Sequence, residues 1–189
     1  MREIEMKVDY RWTVLLVVLA VVACGGETAY EKPPAEAVEE EAAPEAAAVE
    51  PVAQMQADCS AAGEAMAARQ AEASLYDRLG GREAIHTVTT DIVARHHENE
   101  AIAHLFETTD DAALIDAVTD FLSQAFGGDV EYHGKDMVTA HAGLELNDEY
   151  FLAAGGDVQA ALEAAGVGAD EIQEVMCAFA SLHGDVVRQ

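Results

Sequence analysis

The chain has 189 residues, of which 36 are Asp or Glu and 10 are Lys or Arg, so its formal net charge is −26. This charge repels nucleic-acid phosphates and anionic lipid head groups, which excludes a nucleic-acid-binding protein. Hydrophobic residues make up 51% of the chain, too many for a fully disordered protein, and three cysteines are too few for a disulfide scaffold.

An apolar run at residues 12–23 follows Arg2, Lys7 and Arg11. It is shorter than the ~20 residues of a membrane-spanning helix and has the length of a signal-peptide core. The run ends in Val-Val-Ala-Cys, which resembles the bacterial lipobox, whose cysteine is lipidated and becomes the new N-terminus. We therefore expect a lipoprotein signal peptide at residues 1–23 and a lipid on Cys24. The alternative is an ordinary cleaved signal. Gly25 favours export to the periplasmic face of the outer membrane.

The composition changes abruptly after Cys24. All four prolines lie between Pro33 and Pro51, and Glu and Ala fill most of the remaining positions. Such a stretch cannot bury enough apolar surface to offset its chain entropy. Residues 24–57 are therefore predicted to be an acidic tether, and the alanine-rich residues 58–73 a lead-in helix.

The globular part, residues 74–189, is predicted to be all-α. No segment alternates apolar and polar residues over the length of a strand, whereas apolar residues recur at helical spacing over residues 114–125, 151–165 and 172–186, and more weakly over 85–93. Thr108 with Asp111 has capping-box spacing, and Asn147 precedes two carboxylates at another helix start. Residues 127–143 are predicted to be a polar, glycine-bounded loop that contains His133 and His141.

The seven histidines are the main candidates for metal ligands and other chemically active side chains in the chain. No pair has the spacing of two zinc ligands on one helix face, and Cys177 has no Cys-x-x-Cys partner. His96 and His97 are adjacent and point about 100° apart on a helix, so one of them is expected to face solvent. From spacing alone, His141 is a structural histidine near a turn.

The sequence from residue 74 onward nevertheless resembles the group I truncated haemoglobins. Residues 74–81 (SLYDRLGG) match the family's opening motif, and Leu105 and Phe106 fall at its haem-packing phenylalanine pair. Residues 121–128 (FLSQAFGG) match the end of the distal helix. Residues 132–141 match Y-x-G-x-x-M-x-x-x-H, whose last residue is the iron ligand in the family.

This resemblance implies a shortened globin, in which two helix pairs cross over each other in a two-over-two sandwich around one haem b per chain. His141 is then the proximal ligand of the haem iron. The resemblance further implies that the haem is contacted by apolar side chains: Phe106, Leu114, Val118, Phe121 and Met137, with Phe151 and Phe179 as further neighbours.

The chain departs from the family on the distal side of the expected haem. Val93 replaces the usual tyrosine, Val118 replaces the usual polar residue of the distal helix, and Leu114 is also apolar. His97 or His104 could swing in as a donor, although neither sits at a matching position. Ala117 stands where some relatives carry a histidine. We expect no hydrogen-bond donor to a gas ligand and five-coordinate ferrous iron.

Three functions follow as hypotheses. The first is a membrane-anchored haemoglobin that reversibly binds and transports oxygen and binds other diatomic gases, namely nitric oxide and carbon monoxide. The second is an enzyme, a nitric oxide dioxygenase that needs a reductant. The third is a haem-free acidic surface module.

Two cysteines remain once Cys24 is assigned to the lipid. Export to an oxidising compartment would allow Cys59 and Cys177 to pair, which would join the lead-in helix to the final helix. The alternative is a pair of buried thiols.

Overall fold

The computed structural model describes residues 45–187 of the chain, with side chains from residue 51 onward. The expected signal peptide, the expected lipid attachment at Cys24 and residues 24–44 of the expected tether lie outside the described residues. Within the described part, no helix is both long and apolar enough to cross a membrane.

Every regular element of residues 45–187 is a helix, which confirms the predicted all-α class. The helices in chain order are α1 (Glu45–Glu72), α2 (Leu75–Arg78), α3 (Gly81–Glu98), α4 (Asp111–Ala125), α5 (Met137–His141), α6 (Asp148–Ala164), α7 (Ala169–Ser181) and α8 (His183–Val186). A single 3₁₀ turn, Ala103–Leu105, lies between α3 and α4.

Two helix pairs form the body of the domain. Helix α3 packs against α4, α6 packs against α7, and α3 also packs against α6, so that one pair lies over the other. This arrangement is the two-over-two sandwich that the resemblance implied. The apolar stripes predicted at residues 114–125 and 151–165 fall on α4 and α6, and the stripe at 172–186 is divided between α7 and α8.

The main core lies where α2, α3, α6 and α7 meet the end of α4. Its fully buried members are Leu75, Ile85, Phe126, Leu162 and Val175. Burying a side chain of this kind contributes ~1.5–3 kcal/mol, so five of them account for much of the stability of a small domain.

Tyr76 joins two sequence motifs that lie far apart along the chain. Its backbone N–H donates to the carbonyl oxygen of Phe126 at 3.0 Å. Its ring lies so close to Gly128 that a Cβ there would approach the ring to 2.7 Å and the Ser123 carbonyl oxygen to 2.9 Å. A side chain at position 128 would therefore clash with Tyr76. For this reason the last glycine of the FLSQAFGG motif is required by the tyrosine of the SLYDRLGG motif.

The starts of α4 and α6 each carry a side-chain cap, in one case at a residue other than the predicted one. Asn147 caps α6 by accepting from the N–H of Tyr150 at 2.9 Å, as the sequence indicates. Asp110, rather than Thr108, caps α4 by accepting from the N–H of Ala113 at 3.1 Å.

Helix α1 starts well before the predicted boundary. It begins at Glu45 rather than at residue 58 and contains Pro51, so residues 45–57 are helical instead of forming part of the tether. The physical reason is tertiary. Val52 is only 4% exposed and packs with Phe151 and Val187 in a second core cluster, which offsets the poor helix propensity of proline.

A disulfide and a buried carboxylate hold α1 on α7. Cys59 is bonded to Cys177, with the two Cα atoms 5.4 Å apart, so the two cysteines that were left to pair do so. Glu174 accepts from Arg69 Nε and from an Arg78 guanidinium nitrogen, both at 2.6 Å. Burial favours a raised pKa for Glu174, but the two arginines outweigh it and hold this pKa below its ordinary value.

Replacing Cys59 and Cys177 by serine is expected to lower the free energy of unfolding by about 2–4 kcal/mol, because a cross-link over 118 positions restricts the unfolded chain. Urea unfolding of the haem-loaded protein measures the loss. Reduced wild-type protein is the matched control and should unfold like the double variant. An unchanged free energy of unfolding, or a non-reducing digest without the linked peptide, would contradict the bond.

Candidate haem site

The imidazole of His141 lies at the end of the five-residue helix α5, inside the segment that the sequence predicted to be a loop. Asp136 starts this helix, because its carboxylate accepts from the N–H of Thr139 at 2.8 Å and from the Thr139 hydroxyl at 2.9 Å. These bonds stabilise the carboxylate and lower the pKa of Asp136. Helix α5, which carries His141, also packs against α8.

One ring nitrogen of His141 is hydrogen-bonded to the backbone. Nδ1 lies 2.8 Å from the carbonyl oxygen of Met137, and because a carbonyl can only accept, Nδ1 must carry the proton. In the neutral imidazole Nε2 is then the unprotonated nitrogen, and it makes no hydrogen bond within the described part of the chain. A backbone bond that fixes the tautomer in this way is the usual support of a metal-ligating histidine. The donor chemistry therefore fits haem iron.

Five apolar side chains named by the resemblance are half-buried and belong to neither core cluster. They are Phe106 after the 3₁₀ turn, Leu114, Val118 and Phe121 on α4, and Met137 on α5. Side chains that are shielded from water without completing a protein core fit contact with a large, flat, apolar cofactor. Like His141, these five residues therefore fit a haem.

Phe106 is held by two histidines of α3. The ring of His96 stacks on it at a centroid distance of 5.1 Å, and His97 lies against it, tilted, at 5.8 Å. His96 is buried and His97 is exposed, as their adjacent positions on a helix predicted. Nδ1 of His96 lies 2.8 Å from a carboxylate oxygen of Asp157 on α6.

The protonation of His96 is decided mainly by burial. Burial lowers the pKa of His96 below its ordinary value, although the hydrogen bond and the charge of Asp157 oppose the shift. The ring that stacks on Phe106 is therefore neutral at pH 7. Sequence reasoning missed this pair, because Asp157 lies on a helix that is distant in the sequence and no motif marks it.

The predicted distal residues lie on the two helices of one pair. Val93 is buried on α3, while Leu114 and Val118 are half-buried on α4, which packs against α3. The two histidines considered as alternative donors are engaged elsewhere. Nε2 of His97 lies 2.9 Å from an Asp111 carboxylate oxygen, and the exposed His104 contacts the ring of Tyr150.

Phe151 and Phe179 occupy the second core cluster. Their rings stack on each other at 4.3 Å, and Phe151 also meets the ring of His183 edge-on at 4.9 Å. They pack with Val52 and Val187, and thus take part in holding α1. Their assignment as neighbours of the haem stays a prediction.

Known proteins resemble both the sequence and the fold. The profile of the family described as bacterial-like globin matches residues 74–188. Group 1 truncated hemoglobin GlbN of Mycolicibacterium paratuberculosis is 33% identical over 119 residues, which cover 62% of this chain and 88% of that protein. The group 1 truncated hemoglobin GlbN of Synechocystis is 36% identical over 106 residues, covering 54% of this chain and 86% of that protein.

Solved structures agree with the sequence comparison. The truncated hemoglobin of Tetrahymena pyriformis in its Fe(III) form matches with a TM-score of 0.59 and 28% identity, over 61% of this chain and 99% of that chain. The 2/2 hemoglobin of Synechococcus with covalently attached heme matches with a TM-score of 0.58 and 29% identity, over 62% of this chain and all of that chain (100%).

Fold, site and comparisons thus agree on the globin class, in which helices enclose a haem. The chain belongs to the bacterial-like globin family and, within it, to the group 1 truncated haemoglobins. Haem is its cofactor, one per chain, and diatomic gases are the ligands of the class. Helix α1 and everything before it lie outside the matched region.

Proposed function

We propose that this truncated haemoglobin binds oxygen, nitric oxide and carbon monoxide reversibly, with His141 as the proximal iron ligand. The observation that carries the proposal is the hydrogen bond from Nδ1 of His141 to the Met137 carbonyl oxygen, which leaves Nε2 unprotonated. A bound haem would supply the iron at which a diatomic gas coordinates.

The protein's own residues have two tasks in this function. His141 would supply the nitrogen that holds the iron, and the bond from its Nδ1 to the Met137 carbonyl oxygen keeps the ring in the tautomer and orientation that this requires. The half-buried apolar side chains of α4 would exclude water from a bound haem. Neutral His96 supports this enclosure, because it stacks on Phe106 without bringing a charge to the site.

The apolar distal side favours a gas binder over a nitric oxide dioxygenase. Dioxygenation requires oxygen to stay in the site until nitric oxide arrives, and retention is helped by a hydrogen-bond donor. Val93, Leu114 and Val118 carry no such donor, and His97 is bonded to Asp111. Nitrate formation in the presence of nitric oxide and a reductant would favour the enzyme instead.

Changing His141 to alanine is expected to abolish the proximal bond, since the residue's single unprotonated nitrogen is removed. The measurement is the optical spectrum of ferrous and carbon monoxide-treated protein, together with the haem content per chain. His133→Ala is the matched control, because His133 is exposed and its nearest described partner is Glu131. A wild-type spectrum and full haem content in His141→Ala would refute the assignment.

Changing Val93 to tyrosine is expected to slow oxygen dissociation by about ten- to a hundredfold. A hydrogen bond that involves a charged group contributes roughly 1.5–3 kcal/mol, and about 1.4 kcal/mol corresponds to a factor of ten. Carbon monoxide is less polar when it coordinates, so its dissociation should change little. Stopped-flow displacement measures both rates.

Val93→Phe is the matched control for the tyrosine variant, because it adds a ring of nearly the same size without a hydroxyl group. Only the tyrosine should slow oxygen dissociation. If the unchanged protein already released oxygen as slowly as Val93→Tyr, the distal side would contain a donor, and the apolar assignment would be wrong.

We also propose that the protein is exported and anchored through a lipid on Cys24, at the periplasmic face of the outer membrane. The apolar run before Cys24 supports the proposal. The disulfide between Cys59 and Cys177 supports it as well, because disulfides persist in oxidising compartments. The acidic residues that follow Cys24 would hold the globin domain away from an anionic membrane surface.

Mass spectrometry of protein isolated from membranes is expected to find an acylated Cys24 as the first residue. Cys24→Ser should release the protein from the membrane fraction without changing the haem spectrum, since Cys24 lies far before the matched region in the sequence. An unmodified cysteine, or membrane association that survives Cys24→Ser, would contradict the anchor.

A further inference from the structure

The segment between α4 and α5 has no regular structure, yet the position of α5 depends on it. Most of its side chains from Glu131 to Asp136 are exposed, and Tyr132 is the half-buried exception. An exposed irregular segment cannot by itself fix a helix as short as α5, because such a helix has little stability of its own. The contacts of Tyr132 supply a constraint from the side of α4, in addition to the packing of α5 against α8.

Tyr132 is attached to α4 in two ways. Its backbone N–H donates to Oε1 of Gln124 at 2.6 Å. Its ring meets the ring of Phe121 edge-on, with the centroids 5.4 Å apart. Phe121 is one of the apolar residues that fit the haem, so Tyr132 contacts a residue of the candidate site directly.

Tyr132 is also attached to the start of α5. Its hydroxyl donates to the carbonyl oxygen of Lys135 at 2.8 Å, and Lys135 directly precedes Asp136, the residue that caps α5. The chain passes so close to the ring that a Cβ at Gly134 would overlap the Tyr132 hydroxyl. This contact explains why the motif places a glycine two residues after the tyrosine.

We propose that Tyr132 is a positioning residue, which sets the location of α5, and with it the Nε2 atom of His141, relative to α4. The inference rests on the proposed role of His141 as the iron ligand. Gln124 and Phe121 on α4 contact Tyr132. The Tyr132 hydroxyl in turn donates to the carbonyl oxygen of Lys135, and the next residue, Asp136, caps α5. The tyrosine thereby couples the helix on the distal side to the ligand on the proximal side.

The test uses Tyr132→Phe in the full-length haem protein, since this change removes only the hydroxyl group. Haem transfer to an excess of an apoglobin acceptor should become about two- to tenfold faster, which is the effect of losing one ordinary hydrogen bond. The iron–histidine stretching band in resonance Raman spectra should broaden. Amide hydrogen exchange should accelerate in residues 136–144 and remain unchanged in α6 and α7.

Tyr150→Phe is the matched control, because it removes a hydroxyl from a tyrosine whose ring contacts His104 on another part of the surface. Gln124→Met removes the hydrogen bond that joins the Tyr132 backbone to α4 and should act in the same direction as Tyr132→Phe. This second variant keeps the proposal testable if Tyr132→Phe does not fold.

The outcomes separate this inference from the assignment of His141. Unchanged exchange in residues 136–144 for both variants would overturn it, and so would an equal acceleration in all helices, which indicates a general stabilising role. His141→Ala is measured in parallel. If that variant kept the iron–histidine band, the ligand assignment itself would fail, whereas loss of the band with no effect of Tyr132→Phe would overturn only the positioning role.

Discussion

The site depends on the close packing of α3 against α4. Thr89 on α3 and Thr119 on α4 are fully buried, and each hydroxyl donates to a carbonyl oxygen of its own helix, at 2.9 Å to Ile85 and at 2.7 Å to Ile115. Small side chains that satisfy their own polar groups allow helices to approach closely without a desolvation cost. The packing of α3 against α4 brings Val93 to the same helix pair as the apolar stripe of α4, so the predicted distal side depends on it.

Much of the fold could be predicted from the sequence, because its signals are local. Apolar spacing indicated α4, α6 and α7, and Asn147 marked the start of α6 in the way a helix cap does. The position of His141 came from a motif rather than from spacing, since spacing alone describes an ordinary structural histidine. The motif is informative because several of its members, such as Tyr132 and Gly134, contact each other in the structure.

What could not be predicted depends on contacts between residues that are distant in the sequence. Composition assigned residues 45–57 to a tether, because it could not anticipate that Val52 would be buried against Phe151 and Val187. Helix α5 was missed because its five residues are too few for a periodic pattern. The pairing of His96 with Asp157 joins two helices, and neither local sequence contains a motif that predicts it.

The disulfide that joins α1 to α7 has a mechanical consequence. Residues 59 and 177 close a covalent ring that includes α5 and His141. Tension applied to the chain ahead of Cys59 and resisted beyond Cys177 passes directly across the sulfur–sulfur bond, and the polypeptide between them carries none of it. Helices α2 to α6 lie entirely inside this ring, so a pull on the two ends of the chain would load the sulfur–sulfur bond before it stretched them.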